Sequence, residues 1–171
     1  MSNIHICPLD ALPATIESSG AKSLVSFASP GMELKQPAEI KGEFLSLAFN
    51  DINKPRADLI APNRDHISDL IRFVRRWNKK DPIIFQCWMG ISRSTAAGII
   101  ALATLRPFVD AQVIANVLRE ASPTATPNPL MIDFADQLLG RGGALSFAVA
   151  TMGRGENAAT GEPFELSLNS F

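Results

Sequence analysis

Residues 82–105 read PIIFQCWMGISRSTAAGIIALATL, and this stretch decides the fold. Its beginning, 82–87, is an apolar run without alternation, which is typical of a central strand buried on both faces of a sheet. The residues from 93 onward are mostly small or aliphatic and predict a helix. Cys87 therefore ends a buried strand, and Arg93 begins the helix that follows a short loop.

Strands and helices alternate before this stretch, and helices dominate after it. The pattern predicts strands over 3–7, 22–28 and 43–49, and helices over 64–80, 93–106, 109–121, 129–140 and 143–152. Another short helix is predicted between Asp10 as its N-cap and Gly20 as its C-cap. The helix over 64–80 has one apolar face, formed by Ile67, Leu70, Ile71, Val74 and Trp77.

These elements predict an α/β fold, with a central, mostly parallel mixed sheet of four to five strands flanked by helices. We assign residues 1–152 to a single domain, because no repeat or linker interrupts them. Residues 153–171 form a weakly patterned C-terminal tail that we expect to be mostly irregular. Ligands bind such sheets at the carboxyl ends of the strands, and Cys87 lies at such an end.

Composition narrows the classes of protein to which the chain can belong. Of its 171 residues, 46% are hydrophobic and 19% are charged, as in a globular protein with a substantial core. The net charge of −1 favours neither nucleic acid nor an anionic membrane as a partner. No apolar run reaches the ~18 residues of a membrane span. The first residues lack the pattern of a secretory signal.

Cysteine and histidine usage predicts a reduced protein without a metal or other cofactor. Cys7 and Cys87 make no disulfide framework, so we expect a reducing, cytoplasmic setting. His5 and His66 lie far apart in sequence with no CxxC near either, so we expect no metal site and assign both a structural or exposed role. Cys7 is interpreted as a core residue, with redox pairing to Cys87 as the alternative. Oligomeric state is left open.

The loop between the buried strand and the helix is suited to binding an anion. Its amides can form a nest, and the unpaired N–H groups and dipole of the helix N-terminus act on the same point. Gly90 permits a turn or a close approach that a Cβ would hinder. Arg93 adds a planar fork that can bond two phosphate oxygens. The same field favours the thiolate of Cys87, which makes it a nucleophile towards a bound phosphoryl group.

The segment CWMGISRS at 87–94 resembles the C-x-x-G-x-x-R-[S/T] signature loop of the cysteine-dependent protein tyrosine and dual-specificity phosphatases, and especially of compact bacterial-type members. The resemblance implies a phosphocysteine intermediate, with Cys87 as the nucleophile, Arg93 as the phosphate clamp and Ser94 as a donor to the sulfur. It also implies a phosphate site lined by the amides of Trp88, Met89, Gly90, Ile91 and Ser92. No cofactor is implied.

Two further segments resemble parts of the same family. FLSLAFNDI at 44–52 resembles the strand and loop that carry the general acid, which implies Asp51 in that role, with Asp58 as the alternative. PNPLMIDFADQLL at 127–139 resembles the Pro-Asn segment that braces the phosphate loop, which implies a supporting role for Asn128. Asn128 as a simple helix N-cap is the alternative.

One residue departs from the family pattern. Gln86 occupies the position before the cysteine, where the family usually has a histidine that supports the loop. A glutamine amide can still bond backbone carbonyls, but it carries no charge. We therefore expect a slower enzyme, not an inactive one.

The loop also bears on the substrate. Its variable positions, Trp88, Met89, Ile91 and Ser92, carry no charge, which argues against a polyanionic substrate. We expect an aryl phosphate, either a phosphorylated protein or a small molecule. The alternatives are a catalytically impaired phospho-binding module and a rhodanese-like sulfurtransferase. Low-molecular-weight phosphatases place their loop after the first strand, whereas here it follows the fourth.

Overall fold

The computed structural model describes residues 3–169 and residue 171. Its strands are β1 (Ile4–Pro8), β2 (Ser23–Ala28), β3 (Phe44–Ala48), β4 (Ile83–Cys87) and β5 (Phe164–Leu166). Its helices are α1 (Leu12–Ser19), α2 (Arg64–Arg76), α3 (Arg93–Leu105), α4 (Ala111–Ala121), α5 (Pro129–Leu139) and α6 (Ala144–Met152).

The strands form one mixed sheet in the order β3-β2-β4-β1-β5. β1, β2, β3 and β4 run parallel, and β5 pairs antiparallel with β1. β4 lies at the centre and all five of its residues are buried, as its unbroken apolar run predicts. The predicted α/β fold is confirmed. The carboxyl ends of four parallel strands therefore meet at one edge of the sheet, around Cys87.

The two faces of the sheet carry unequal cores. Helices α2 to α6 form the larger core with one face, and the buried α3 packs directly on β4 and β1. α1 and Ile40 cover the other face with a smaller apolar cluster. Since side chains alternate along a strand, Phe85 and Cys87 face the larger core, whereas Ile84 and Gln86 face the side of α1.

Two helix termini differ from the prediction. Ala11, not Asp10, is the N-cap of α1, and no side chain caps this helix. Pro13 lies in its first turn, where a missing N–H breaks no bond. Gly20 ends α1 in the left-handed conformation, as predicted. α2 ends at Arg76 instead of continuing to residue 80, because Trp77 leaves the helical conformation and its indole N–H donates to the carbonyl oxygen of Asp81, at 2.8 Å.

The tail contains a strand that periodicity could not indicate. β5 is three residues long, and it pairs with β1, which lies at the opposite end of the sequence. Leu166 and Leu168 are buried against the larger core. A strand this short is recognisable only by its distant partner, so the expectation of a mostly irregular tail misses the fifth strand.

Within the described residues, no helix has the length and apolarity needed to cross a bilayer.

The carboxylate of Asp136, on α5, serves as the cap that α6 lacks. It accepts hydrogen bonds from the amides of Gly143 (2.6 Å), Leu145 (2.7 Å) and Ser146 (3.3 Å). No side chain at the N-cap position of α6 does this. Asp136 is itself buried, and these bonds join α5 to the N-terminus of α6, with the bond to Leu145 fully buried.

We expect Asp136→Ala to lower the free energy of unfolding by about 2 kcal/mol, because three amides, one of them fully buried, lose their acceptor. Asp133→Ala is the matched control. Asp133 lies on the same helix but is exposed, and among residues 3–169 and 171 its one hydrogen-bond donor is the hydroxyl of Ser146. Urea denaturation measures both variants, and equal losses would contradict the capping role.

Candidate active site

The loop after β4 is held by its carbonyl groups. The carbonyl oxygen of Trp88 accepts from the amide of Leu9 (3.2 Å), and that of Met89 accepts from Gly161 (2.8 Å). The carbonyl oxygen of Ile91 accepts from the amide of Thr126, at 2.9 Å. Three separate parts of the chain thus bind the outer side of this loop.

The amides of the same loop remain free. Within the described part of the chain, the amides from Met89 to Ser92 donate to no protein acceptor. The first turn of α3 follows at once and no side chain caps it. Free loop amides beside an uncapped helix N-terminus provide the donors that an anion site needs.

Gly90 allows the turn on which this arrangement depends. Its φ is +68°, in the left-handed region. A Cβ at this position would lie 2.7 Å from the amide nitrogen of Pro8, in β1. The loop therefore packs directly on the backbone of the neighbouring strand.

The thiol of Cys87 lies under the loop, and its residue is 2% exposed. Its Sγ is 3.0 Å from the hydroxyl oxygen of Ser94, in the first turn of α3. The hydroxyl can donate to the sulfur when the sulfur is ionised, which stabilises the negative charge.

Arg93 is buried, 4% exposed, and only partly bonded. Its Nη1 donates to the carbonyl oxygen of Phe49, at 2.9 Å, just after β3. Its Nε is buried and is the sole such side-chain N or O atom without a hydrogen-bond partner in the described residues. A buried guanidinium with an unused donor is costly unless an anion completes it.

Asp51 lies against the loop, on a segment closed by two hydrogen bonds. Asn50 N donates to the carbonyl oxygen of Ile60 (2.7 Å), and Ile60 N donates to Asn50 Oδ1 (2.9 Å). Asp51 Oδ1 accepts from the hydroxyl of Ser92, at 2.8 Å. Asp58 lies in the same segment and is exposed, and it makes no hydrogen bond or ion pair with the described residues. Of the two predicted candidates, the structure therefore brings only Asp51 to the loop.

Asn128 joins Asp51 to the helical core. Its Nδ2 donates to Asp51 Oδ1 (2.8 Å) and to the carbonyl oxygen of Ile52 (3.1 Å). Its Oδ1 accepts from the amides of Leu130 and Met131 and so caps α5. The cap and the support of Asp51 are two uses of one side chain, so the two alternatives for Asn128 are compatible.

Gln86 faces away from Cys87 and lies next to β2. Its Oε1 accepts from the hydroxyl of Ser26, at 2.8 Å, and both residues are buried. Gln86 makes no hydrogen bond to the loop among the described residues. The sequence-based expectation that its amide supports backbone carbonyls is therefore not matched by a contact in the structure.

The other cysteine and the two histidines lie outside this region. Cys7 packs in the small cluster on the α1 side, and burial raises the pKa of its thiol to about 12. Both cysteines are free, and they face opposite sides of the sheet. His66 completes the N-terminal capping box of α2, and His5 lies 3.9 Å from Glu165 across the β1–β5 pair.

A cleft of about 460 Å³ opens beside Arg93 and Asp51. Its other lining residues are Leu9, Ser26, Phe27, Ala28, Ser29, Met32, Leu34, Gln86, Trp88 and Met89. The residues from β2 and from the loop after it were not predicted as site residues, because that loop carries no motif. The carboxyl end of β2 beside β4 was the available signal, since ligands bind at that edge.

No protein-family model and no curated protein sequence matches the chain. Solved structures do match it. DUSP15 aligns with a TM-score of 0.64 and 15% identity over 88% of this chain and 92% of that chain. The Yvh1 phosphatase domain from Chaetomium thermophilum aligns with a TM-score of 0.58 and 18% identity over 83% and 93%. Human DUSP28 aligns with a TM-score of 0.59 and 14% identity over 81% and 92%.

The chain has the fold of the tyrosine and dual-specificity phosphatases. This confirms the resemblance that the loop at 87–94 indicates. At these sequence identities the likeness shows the fold alone. The chemistry of this chain depends on its own side chains.

We expect Gly90→Ala to lower the free energy of unfolding by more than ~2 kcal/mol. The added Cβ would clash with the backbone of β1, and this cost comes on top of the ~1–2 kcal/mol of strain in the left-handed conformation. Gly31→Ala is the matched control, since Gly31 has a φ of +85° and a Cβ added there would meet nothing within 4 Å. Thermal unfolding compares the two variants. If Gly31→Ala were as destabilising as Gly90→Ala, contact with β1 would not be what fixes the loop.

Proposed function

We propose that the protein is a cysteine-dependent phosphomonoester hydrolase of the tyrosine or dual-specificity type. The observation that carries this proposal is the buried guanidinium of Arg93, whose Nε has no partner among the described residues. Arg93 follows directly after the loop whose amides from Met89 to Ser92 are free among the described residues, and Cys87 precedes that loop. A tetrahedral dianion would meet the unused donors and would bring phosphorus to the sulfur.

The proposed reaction has two steps through a phosphocysteine intermediate. In the first, the sulfur of Cys87 forms a bond to phosphorus, the phosphorus–oxygen bond to the alcohol breaks, and Asp51 gives its proton to the departing oxygen. In the second, Asp51 takes a proton from water, the water oxygen attacks phosphorus, and the phosphorus–sulfur bond breaks. The hydroxyl of Ser94 stabilises the thiolate that leaves.

The other loop residues have supporting roles in this proposal. The backbone of Trp88, Met89, Gly90, Ile91 and Ser92 supplies the donors for phosphate. Asn128 and Ser92 hold Asp51 beside the loop through their bonds to its Oδ1. Because both donors bind the same oxygen, Oδ2 is the oxygen left to carry the transferred proton.

The two alternatives have less support. A phospho-binding module needs Arg93 and the amides, but it has no use for a carboxylate fixed on the phosphate loop, as Asp51 is. A rhodanese-like sulfurtransferase likewise has no need of a proton donor positioned there. The substrate we propose is an aryl phosphate, on a protein or as a small molecule, in a reducing, cytoplasmic setting that keeps Cys87 a thiol.

Hydrolysis of p-nitrophenyl phosphate at mildly acidic pH, in the presence of a chelator, tests the proposal. We expect turnover that vanadate blocks and that Cys87→Ser abolishes. Arg93→Lys keeps the charge but loses the fork, so kcat should fall by ~10²–10³-fold. Cys7→Ala, which removes the other thiol, should retain turnover. Phosphate binding by the wild-type protein without turnover would support the binding module, and a persulfide formed from thiosulfate would support the sulfurtransferase.

The role of Asp51 is tested by the leaving group. A general acid contributes ~10²–10⁴-fold to the rate, and it matters most when the leaving oxygen is strongly basic. We expect Asp51→Asn to slow hydrolysis of phenyl phosphate, whose phenol has a pKa of ~10, far more than that of p-nitrophenyl phosphate. The variant should also lose the decline in kcat at higher pH, because that decline reports deprotonation of the acid. Asp58→Asn is the control, and an equal effect of both variants would remove Asp51 from the role.

A further inference from the structure

A buried polar pair forms part of the floor of the cleft, beside the phosphate site. Ser26 is 0% exposed and Gln86 is 1% exposed, and both line the cleft. The two residues are partners in the β2–β4 register. Their bond uses the hydroxyl of Ser26 and Oε1 of Gln86.

The amide nitrogen of Gln86 is left unused by this pair. Within the described residues, Gln86 Nε2 makes no hydrogen bond. It is not an enclosed atom either, since Arg93 Nε alone is both enclosed and unpartnered there. Gln86 Nε2 therefore keeps a small accessible area, and because Gln86 lines the cleft this atom is a neutral donor at the cleft surface.

The rest of the cleft is apolar and bears little charge. Its walls include Leu9, Met32, Leu34, Trp88 and Met89. Trp88 is 54% exposed, so it retains surface that a ligand can cover. Asp51 and Arg93 are the only charged lining residues in the described chain. Among those lining residues there is no second cation to bind a second phosphate.

The size of the cleft points to a small ligand. Its volume of about 460 Å³ lies within the ~300–1,000 Å³ of pockets that enclose small molecules. Such pockets are mainly apolar and contain a few polar groups that fix orientation. Gln86 is such a group, and its burial makes it reachable only by a narrow part of a ligand.

We propose that the natural substrate is a small monophosphate ester of an aromatic or otherwise apolar alcohol that carries a hydrogen-bond acceptor outside its phosphate group. Arg93 and the loop bind the phosphate, Trp88 and Met32 cover the apolar body, and Gln86 Nε2 donates to the acceptor. This inference rests on the proposed phosphatase activity. Between the two kinds of aryl phosphate considered above, it selects the small molecule over the phosphorylated protein.

The physical basis of the selectivity is the unused N–H of Gln86. A ligand without an acceptor covers this donor and leaves it unpaired, whereas a ligand with an acceptor pairs it. A hydrogen bond of this kind contributes ~0.5–1.5 kcal/mol, which corresponds to a preference of about two- to tenfold.

Two bicyclic esters of similar size form the test. 4-Methylumbelliferyl phosphate carries a carbonyl acceptor on its second ring, and 2-naphthyl phosphate carries none. Their leaving groups differ, so the absolute rates are not compared. The informative quantity is kcat/KM for 4-methylumbelliferyl phosphate divided by kcat/KM for 2-naphthyl phosphate, measured in the wild-type protein and again in a variant. Ser26→Ala/Gln86→Met removes both partners of the floor pair, so that no hydroxyl is left unpaired.

We expect the double variant to lower this ratio by about two- to tenfold. Trp88→Ala should raise KM for both bicyclic esters more than for phenyl phosphate. Phe108→Ala is the control, since Phe108 is fully exposed and does not line the cleft. A change in folding alone would lower both kcat/KM values together and leave the ratio unchanged.

Three results would overturn the inference. An unchanged ratio in the double variant, with p-nitrophenyl phosphate still hydrolysed by the wild-type protein, would refute the substrate assignment alone. A phosphotyrosine peptide with a kcat/KM at least tenfold above both bicyclic esters would refute it in favour of a protein substrate. Absence of p-nitrophenyl phosphate turnover in the wild-type protein would refute the phosphatase activity and this inference together.

Discussion

The guanidinium of Arg93 lies buried in the first turn of α3, where the helix dipole opposes a positive charge. One of its nitrogens bonds the carbonyl oxygen of Phe49, and its Nε bonds nothing in the described residues. Burying a charged side chain costs desolvation free energy, and an opposite charge nearby is what offsets this cost. The rest of the site is arranged around this requirement. The loop amides beside it are also without partners among the described residues, and the hydroxyl oxygen of Ser94 lies 3.0 Å from the sulfur of Cys87.

The sheet provides the rigidity that this arrangement needs. β4 is buried on both faces and has parallel neighbours on either side. The loop that follows it binds the chain through its carbonyl oxygens, at Leu9, Thr126 and Gly161. Each of these contacts comes from a different part of the fold. Tertiary structure therefore determines that the loop carbonyls are bonded and that the loop amides are left free. The loop conformation is therefore fixed by protein contacts, and in enzymes such preorganisation is the condition for effective electrostatic stabilisation of a transition state.

Much of the fold follows from sequence because its central elements have strong local patterns. The unbroken apolar run of β4 and the periodic apolar face of α2 are examples. The positions of Cys87, Arg93 and Ser94 follow from the motif, because a strand–loop–helix of fixed length leaves few ways to place them. Asp51 could be separated from Asp58 only by structure, since both lie in one irregular segment and the choice depends on the contacts with Ser92 and Asn128.

What sequence could not predict is governed by distant pairing. β5 is too short to show a period. The cap of α6 is a carboxylate that belongs to another helix. Gln86 is the most informative case. From the sequence, Gln86 indicated a missing charge behind the loop and an amide that could still bond backbone carbonyls. In the structure the same residue bonds Ser26 and offers a donor to the cleft.

The contact of Gly161 with the phosphate loop has a consequence for how the protein is made. Gly161 donates to Met89, and a few residues later the chain enters the sheet beside β1. During translation, the loop and its cysteine leave the ribosome well before the segment that braces them. The nascent chain can therefore form its central strands early, while the loop after β4 gains its contact at Met89 only once Gly161 has been synthesised. The geometry around Cys87 is then completed only after residues close to the C-terminus have been synthesised.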